Sequence, residues 1–345
     1  MLWFVGLGVS GVDSISISTQ KLLKQADFVY LEQFTSPISN IEVSKIRKIA
    51  KTNLKIAKRW MVEDGKEILE NAKNKKVVLL SYGDPYIATT HIELRTRAIQ
   101  NKIKTQTVHA ASSLTSLVGE CGLHFYKIGR IVTIMREFKT LTTPYYVIYK
   151  NLIEGNHTLL LLEFDQDSKF FLKPKNALAA LTNTEKDQRR KVILSSTFVI
   201  VASRIGFKNQ TITSGKISTL KKMDFGNPPH TIIIPGKLHF TESDAIKVLT
   251  KCMSEPLDNS ERIKKISKQM IEKYVPMVRK SLKEVEPFFK NSKHFQDVLE
   301  NAGLYIKDAE KFLDEGKDEV AILSIGYADG LVDSLRMAKG LEPKK

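Results

Sequence analysis

The side chains able to hold or transform a small molecule lie at the ends of short apolar runs. Asp84 is the first of them, in Gly83-Asp84-Pro85, directly after the branched run at residues 77–80. A run of that kind reads as a buried parallel strand. In an open α/β sheet the crevice beyond the carboxyl ends of the strands takes the ligand. Pro85 fixes its own φ and biases Asp84 away from helical geometry, so the carboxylate is presented on a stiff loop. Ser81, Thr89 or Thr90 can satisfy backbone groups nearby. The same residues would also serve as a plain strand-to-helix connection with Thr90 as the cap.

Other strand ends carry comparable groups: residues 6–11, 109–113, Leu162, 203–206 and 227–230. His230 closes a Gly/Pro-rich loop that feeds a strand, where a histidine taken alone is more often structural than a ligand group. Chemistry drawn from several strand ends suits an enzyme that binds a reactive cofactor and aligns a nucleophile with it. There is no P-loop, no metal-ligand spacing, no Ser-His-Asp order and no suggestive carboxylate pair. Gly6-Leu7-Gly8-Val9-Ser10-Gly11 formally matches the dinucleotide fingerprint, with Glu32 placed downstream as a ribose-binding acid would be. That fingerprint needs its glycine turn to open directly into a helix. Here the helical pattern begins only near Ser18, so the loop is read as one that lets a ligand approach backbone closely.

The elements that must position these groups alternate. Strands at residues 2–5, 28–31, 54–57, 77–80 and 105–108 are separated by helical patterns, which predicts a mostly parallel sheet with helices on both faces. Ser112 or Ser113 is a natural cap for the helix that follows. A second α/β unit has strands at 131–135, 158–162, 198–202, 211–214 and 231–235. Beyond about residue 244 the pattern is purely helical, with one helix expected to stop at Pro276, and it reads as an appended bundle.

Composition sets the wider limits. The 345 residues are 42% hydrophobic and 27% charged, as in an ordinary soluble protein of two or three domains. No apolar run approaches the roughly 20 residues of a membrane span, and the amino terminus reads as strand rather than signal peptide. Cys121 and Cys252 are too few for a disulfide framework or a thiolate metal site. A cytoplasmic location, with no membrane and no metal, is expected. The net charge of +16 lies almost wholly in the first 243 residues, which hold 35 Lys+Arg against 20 Asp+Glu. Such a surface is either simply solvated or suited to an acidic partner.

Three stretches together resemble archaeal diphthine synthases, of the tetrapyrrole methylase superfamily. They are Met1-Leu2-Trp3-Phe4-Val5-Gly6-Leu7-Gly8, the Gly83-Asp84-Pro85 turn with Ala88-Thr89-Thr90-His91, and Pro228-Pro229-His230 with the strand after it. The resemblance covers about residues 1–242. It implies a two-domain α/β fold with mostly parallel sheets, the domains being 1–112 and 113–243 with the cofactor in the cleft between them. It further implies S-adenosyl-L-methionine as cofactor and elongation factor 2 as substrate, repeatedly methylated on the amino group of a modified histidine, by an enzyme that is usually a homodimer. The family's cofactor contacts fall on Val9, Asp84, Ile87, Ser112, Ser113, Leu162, Ile205 and His230. Val9, Ser113 and Ile205 match by position rather than identity, and Ala111-Ser112 departs from the commoner Pro-Ser, as sites using backbone groups would tolerate. No catalytic base is assigned. Residues 255–340 resemble a small archaeal helical domain of unknown function. Ribose methylation of rRNA, methylation of a corrinoid precursor, and a non-catalytic RNA-binding adaptor are the alternatives.

Overall fold

The computed structural model describes residues 1–137, 141–165, 167–289 and 291–342. The chain forms two compact units, Met1–Ile263 and Lys264–Lys345.

The first unit opens with β1 (Leu2–Gly6), α1 (Ile17–Gln25), β2 (Phe28–Glu32), α2 (Asn40–Ala50) and β3 (Leu54–Ala57). Then come α3 (Arg59–Asp64), α4 (Lys66–Asn74), β4 (Val77–Ser81), α5 (His91–Gln100) and β5 (Thr105–Val108). The strands lie in the order β3-β2-β4-β1-β5, with every pairing parallel. All five residues of β4 are buried, because helices cover both faces. One face packs Phe4 and Leu79 on Met61 and Leu94; the other packs Val5 and Val78 on Leu22 and Ile46. A 3-10 turn at Gly11–Ser14 separates the glycine loop from α1, which Ser16 caps through Thr19 N–H (3.1 Å). The long loop excludes the dinucleotide arrangement, as the sequence predicts.

The same unit continues through α6 (Ser113–Glu120), β6 (Val132–Ile134), α7 (Thr142–Ile153), β7 (Thr158–Leu162) and the small hairpin β8 (Phe164–Asp165) with β9 (Phe170–Phe171). It ends with α8 (Pro174–Gln188), β10 (Phe198–Ser203), β11 (Thr211–Lys216), α9 (Ile217–Leu220), β12 (His230–Ile234), α10 (Phe240–Leu249) and β13 (Lys251–Cys252). Its main sheet runs β13-β11-β10-β12-β7-β6. Here the expectation of mostly parallel sheets fails. β10 is antiparallel to β11 and β12, and β12 to β7, which leaves β6–β7 and β11–β13 as the parallel pairs. The physical reason is connection length: residues 204–210 join β10 to β11, far fewer than a parallel crossover needs.

The second unit is α11 (Ile266–Phe289), α12 (Lys293–Asp314) and α13 (Asp318–Ala338), closed around Val278, Val285, Ala302, Ile306, Ala328 and Val332. α11 continues through Pro276 and Pro287 rather than stopping at the first. Each proline forfeits one helical hydrogen bond, while the buried stripe at Ile271, Val275, Val278, Val285 and Phe289 runs across both turns and holds the helix together. Among the described residues, no helix is long and apolar enough to cross a membrane.

Candidate functional site

The adjacent strands β1 and β4 end in two glycine loops that lock to each other. Gly8 and Gly83 exchange backbone hydrogen bonds (3.2 and 3.0 Å) as an isolated bridge, and both take positive φ. A side chain at Gly6 would lie 2.4 Å from the Gly83 carbonyl oxygen, so only glycine lets the loops meet.

This clasp fixes Asp84, which is 8% exposed. Its Oδ1 accepts from Tyr86 N–H (3.0 Å); its Oδ2 accepts from Ala110 N–H (3.3 Å) and pairs with His109 Nδ1 (2.8 Å). The carboxylate therefore ties the end of β4 to the end of β5. The hydroxyls expected to steady this loop do otherwise: among the described residues Ser81 Oγ and Thr89 Oγ1 have no hydrogen-bond partner, and Thr90 precedes α5 without a side-chain cap bond. His91 supplies the support instead. Fully buried, it donates from Nδ1 to the Pro85 carbonyl (2.9 Å), and burial lowers its pKa to about 4, so the ring is neutral.

The second sheet builds the facing wall. Ser203 Oγ, at the end of β10, bonds His230 Nδ1 (2.8 Å) at the start of β12. Burial, and then the nearby Arg204 charge, lower the His230 pKa to about 4, so this imidazole is also neutral. Arg204, itself at positive φ, clasps the Pro-Pro-His loop. Its guanidinium donates to the carbonyls of Phe225 (3.0 Å), Asn227 and Asn209 (3.0 Å), and its N–H donates to Pro229 (2.9 Å). The Pro228–Pro229 peptide is cis.

Between these walls lies a cavity of about 280 Å³, near the lower end of the ~300–1,000 Å³ usual for small-molecule sites. Asp84, Ile87, Ser112, Ser113, Leu162, Ile205 and His230 line it. Ser112 also caps α6 through Leu114 N–H (3.2 Å). Val9 stands apart from the lining. It packs under the turn after β10, where a Cβ on Gly206 would come within 2.8 Å of the Val9 carbonyl oxygen. That carbonyl accepts from Tyr82 Oη, while Ser10 Oγ donates to the Gly206 carbonyl (2.7 Å). Val9 thus joins the walls rather than facing the space between them.

Residues 1–221 match the family described as Tetrapyrrole (Corrin/Porphyrin) Methylases. The diphthine synthase of Methanocaldococcus jannaschii is 36% identical over 254 residues, 72% of this chain and 98% of that one. The chain belongs to the tetrapyrrole methylases. Within them it groups with the diphthine synthases, for that of Methanosarcina mazei is 34% identical over 76% of this chain and all of its own length. A crystal structure of diphthine synthase superposes with a TM-score of 0.65 at 31% identity, covering 73% of this chain and 96% of that one. This tetrapyrrole methylase is a methyltransferase with an added helical unit. Residues 273–341 match a family described only as a protein of unknown function (DUF357).

Three wall groups of the methylase escaped the sequence reading. Phe34 and Thr35 line the cavity because buried Glu32, at the end of β2, gathers Phe34 N–H (3.0 Å), Thr35 N–H (3.1 Å) and the Thr35 hydroxyl. Burial raises the Glu32 pKa. Arg59 lines it from α3, its guanidinium 5.1 Å from the Phe34 ring centre. The signal for Glu32 was in plain view: an acid closing an apolar strand, then residues that can turn back on it.

Proposed function

We propose that the cavity binds S-adenosyl-L-methionine and that the protein methylates the amino group of the modified histidine of elongation factor 2, repeatedly, to form diphthine. The observation that carries this reading is the match over 72% of the chain and 98% of the Methanocaldococcus jannaschii diphthine synthase. The lining gives independent support. Leu114, Leu161, Leu162 and Ile205 offer apolar surface, and Ser112 and Ser113 offer hydroxyls and backbone groups for the polar edges of a nucleoside and an amino acid. Neutral His230 sets no imidazolium against a positively charged sulfur, and Arg204 is held on carbonyls of its own loops. The residues fit the cofactor.

When bound, that cofactor supplies a methyl group on a sulfonium, already activated for attack by a neutral amine. The chain's part is to bind, orient and exclude water. Asp84 fixes the β4 and β5 loops, Ser112 and Ser113 present the α6 amino terminus, and His230 and Leu162 close the opposite side. Holding the reactants at close approach with little water can account for much of the acceleration. The wall assigns no general base; the acceptor amine arrives neutral from its own equilibrium.

The test is to incubate the protein with methyl-labelled S-adenosyl-L-methionine and, separately, modified elongation factor 2 or rRNA. Label should enter the protein acceptor. Label in rRNA alone would overturn the reading.

A further inference from the structure

A protein acceptor has to thread one residue into the cavity, so its chain must lie along a surface continuous with it. A groove along the edge of the second sheet meets that requirement. About 640 Å³ in volume, it shares Phe34, Arg59, Ile87, Ala88, Leu114 and Thr133 with the cavity wall and runs on past Thr89 and Thr90 to Ile131 and Val132. One side of it is β6, the edge strand of the second sheet, paired among the described residues only with β7. An edge strand offers unpaired main-chain groups to another chain. Glu163 N–H donates to the Ile134 carbonyl (3.0 Å), which turns Ile134 toward β7. Strand alternation then turns the N–H and C=O of Thr133 to the open side, beside the cavity.

The other side of the groove has features that packing alone does not require. Ala88 takes φ +57, a left-handed conformation unusual for a residue with a Cβ. Strain of this kind gathers at ligand-binding segments. The neighbouring Thr89 Oγ1 is enclosed, with no hydrogen-bond partner among the described residues. Ile87 and Ile131 remain 40% and 39% exposed where the groove passes between them.

We propose that the acceptor segment of the protein substrate binds here in extended form, added as a strand to the open edge of β6. Thr133 pairs with its main chain, and Ile87 and Ile131 take an apolar side chain flanking the acceptor residue. Main-chain pairing gives such complexes affinity, and alternate side chains give selectivity. The inference rests on the proposed methylation of a protein and adds the mode by which that protein is held.

The test compares Thr133→Pro with Thr133→Val. Both lose the hydroxyl, but only proline lacks the outward N–H, and neither disturbs pairing groups directed at β7. With elongation factor 2 as acceptor, KM for Thr133→Pro should exceed that for Thr133→Val by about tenfold, the loss of one well-made hydrogen bond. Amide exchange at Thr133 in the unsubstituted protein, which does not depend on a variant folding, should slow when the acceptor is added. Equal KM values for the two variants, or exchange at Thr133 unchanged by an acceptor that is being methylated, overturns strand addition and leaves the methyltransferase reading standing. Failure of the unsubstituted protein to label elongation factor 2 overturns both.

Discussion

The two units bury polar groups for different ends. In residues 1–263 the buried set includes Glu32, Asp84, His91, His157, Glu185, Ser203, Glu242 and Asn259. Nearly every one fastens a loop. Glu185 holds three consecutive N–H groups, of Lys191, Val192 and Ile193 (2.6, 2.7 and 2.8 Å), and the Tyr145 hydroxyl (2.8 Å). Asn259 joins the backbone of Phe198 to that of Pro235. The helical unit needs little of this: among the described residues its buried polar ones are Ser267, Ser281, Ser324 and Arg336, in a core of Val, Ile, Ala, Leu and Phe. Helices satisfy their own backbones, whereas irregular strand-end loops must be given partners. Polar burial is therefore concentrated where irregular loops, those of the cavity wall among them, are held in shape.

That contrast can be broken experimentally, beginning where the effect should be largest. Glu185→Ala leaves three N–H groups unpaired, those of Val192 and Ile193 buried, and should destabilise the first unit by about 3 kcal/mol or more, seen as a lowered denaturant midpoint; a loss under ~1 kcal/mol would mean that water substitutes freely there. Arg204→Met should release the Pro-Pro-His loop and weaken cofactor binding by about tenfold while changing stability less than Glu185→Ala does. Calorimetry and denaturation measured together decide it.

Acid should act next. Burial tends to raise the Glu242 pKa, but the His239 N–H, Lys127, the His124 N–H and His157 outweigh it and hold the group at about 2. A carboxyl depressed in the folded state stabilises above its ordinary value of 4.5, and that contribution is lost as pH falls from there toward 2. Glu242→Gln should flatten this part of the stability–pH curve, and an unchanged slope would assign the acid sensitivity elsewhere. The smallest effect is expected from removing residues 264–345. Relatives matched over 98–100% of their length span only 72–76% of this chain, so residues 1–263 should keep methyl transfer within about twofold. A loss of tenfold would give the helical unit a part in substrate handling.

The sequence disclosed the first sheet and the Asp84 loop because both depend on local chemistry: branched apolar runs, and a proline that stiffens a turn. The antiparallel centre of the second sheet was less visible. Its strands are as apolar as parallel ones, and the telling feature is the short stretch 204–210 rather than any residue type. His230 could be placed in the site only through resemblance, since its neighbours Ser203 and Arg204 are brought to it by folding. Arg59 and Phe34 were beyond reach for the same reason. Val9, on the first glycine loop, joins the walls rather than lining the cavity.

The central claim is that the first unit is a methyl-donor site organised on Asp84. Titration calorimetry of S-adenosyl-L-methionine into the unsubstituted protein and into Asp84→Ala tests it directly. One binding event per chain is predicted for the former. A roughly 10- to 100-fold weaker one is predicted for the latter, the scale of losing a charged hydrogen-bond hub, with the fold retained by circular dichroism. No binding to the unsubstituted protein, or equal affinity in the variant, would contradict the account.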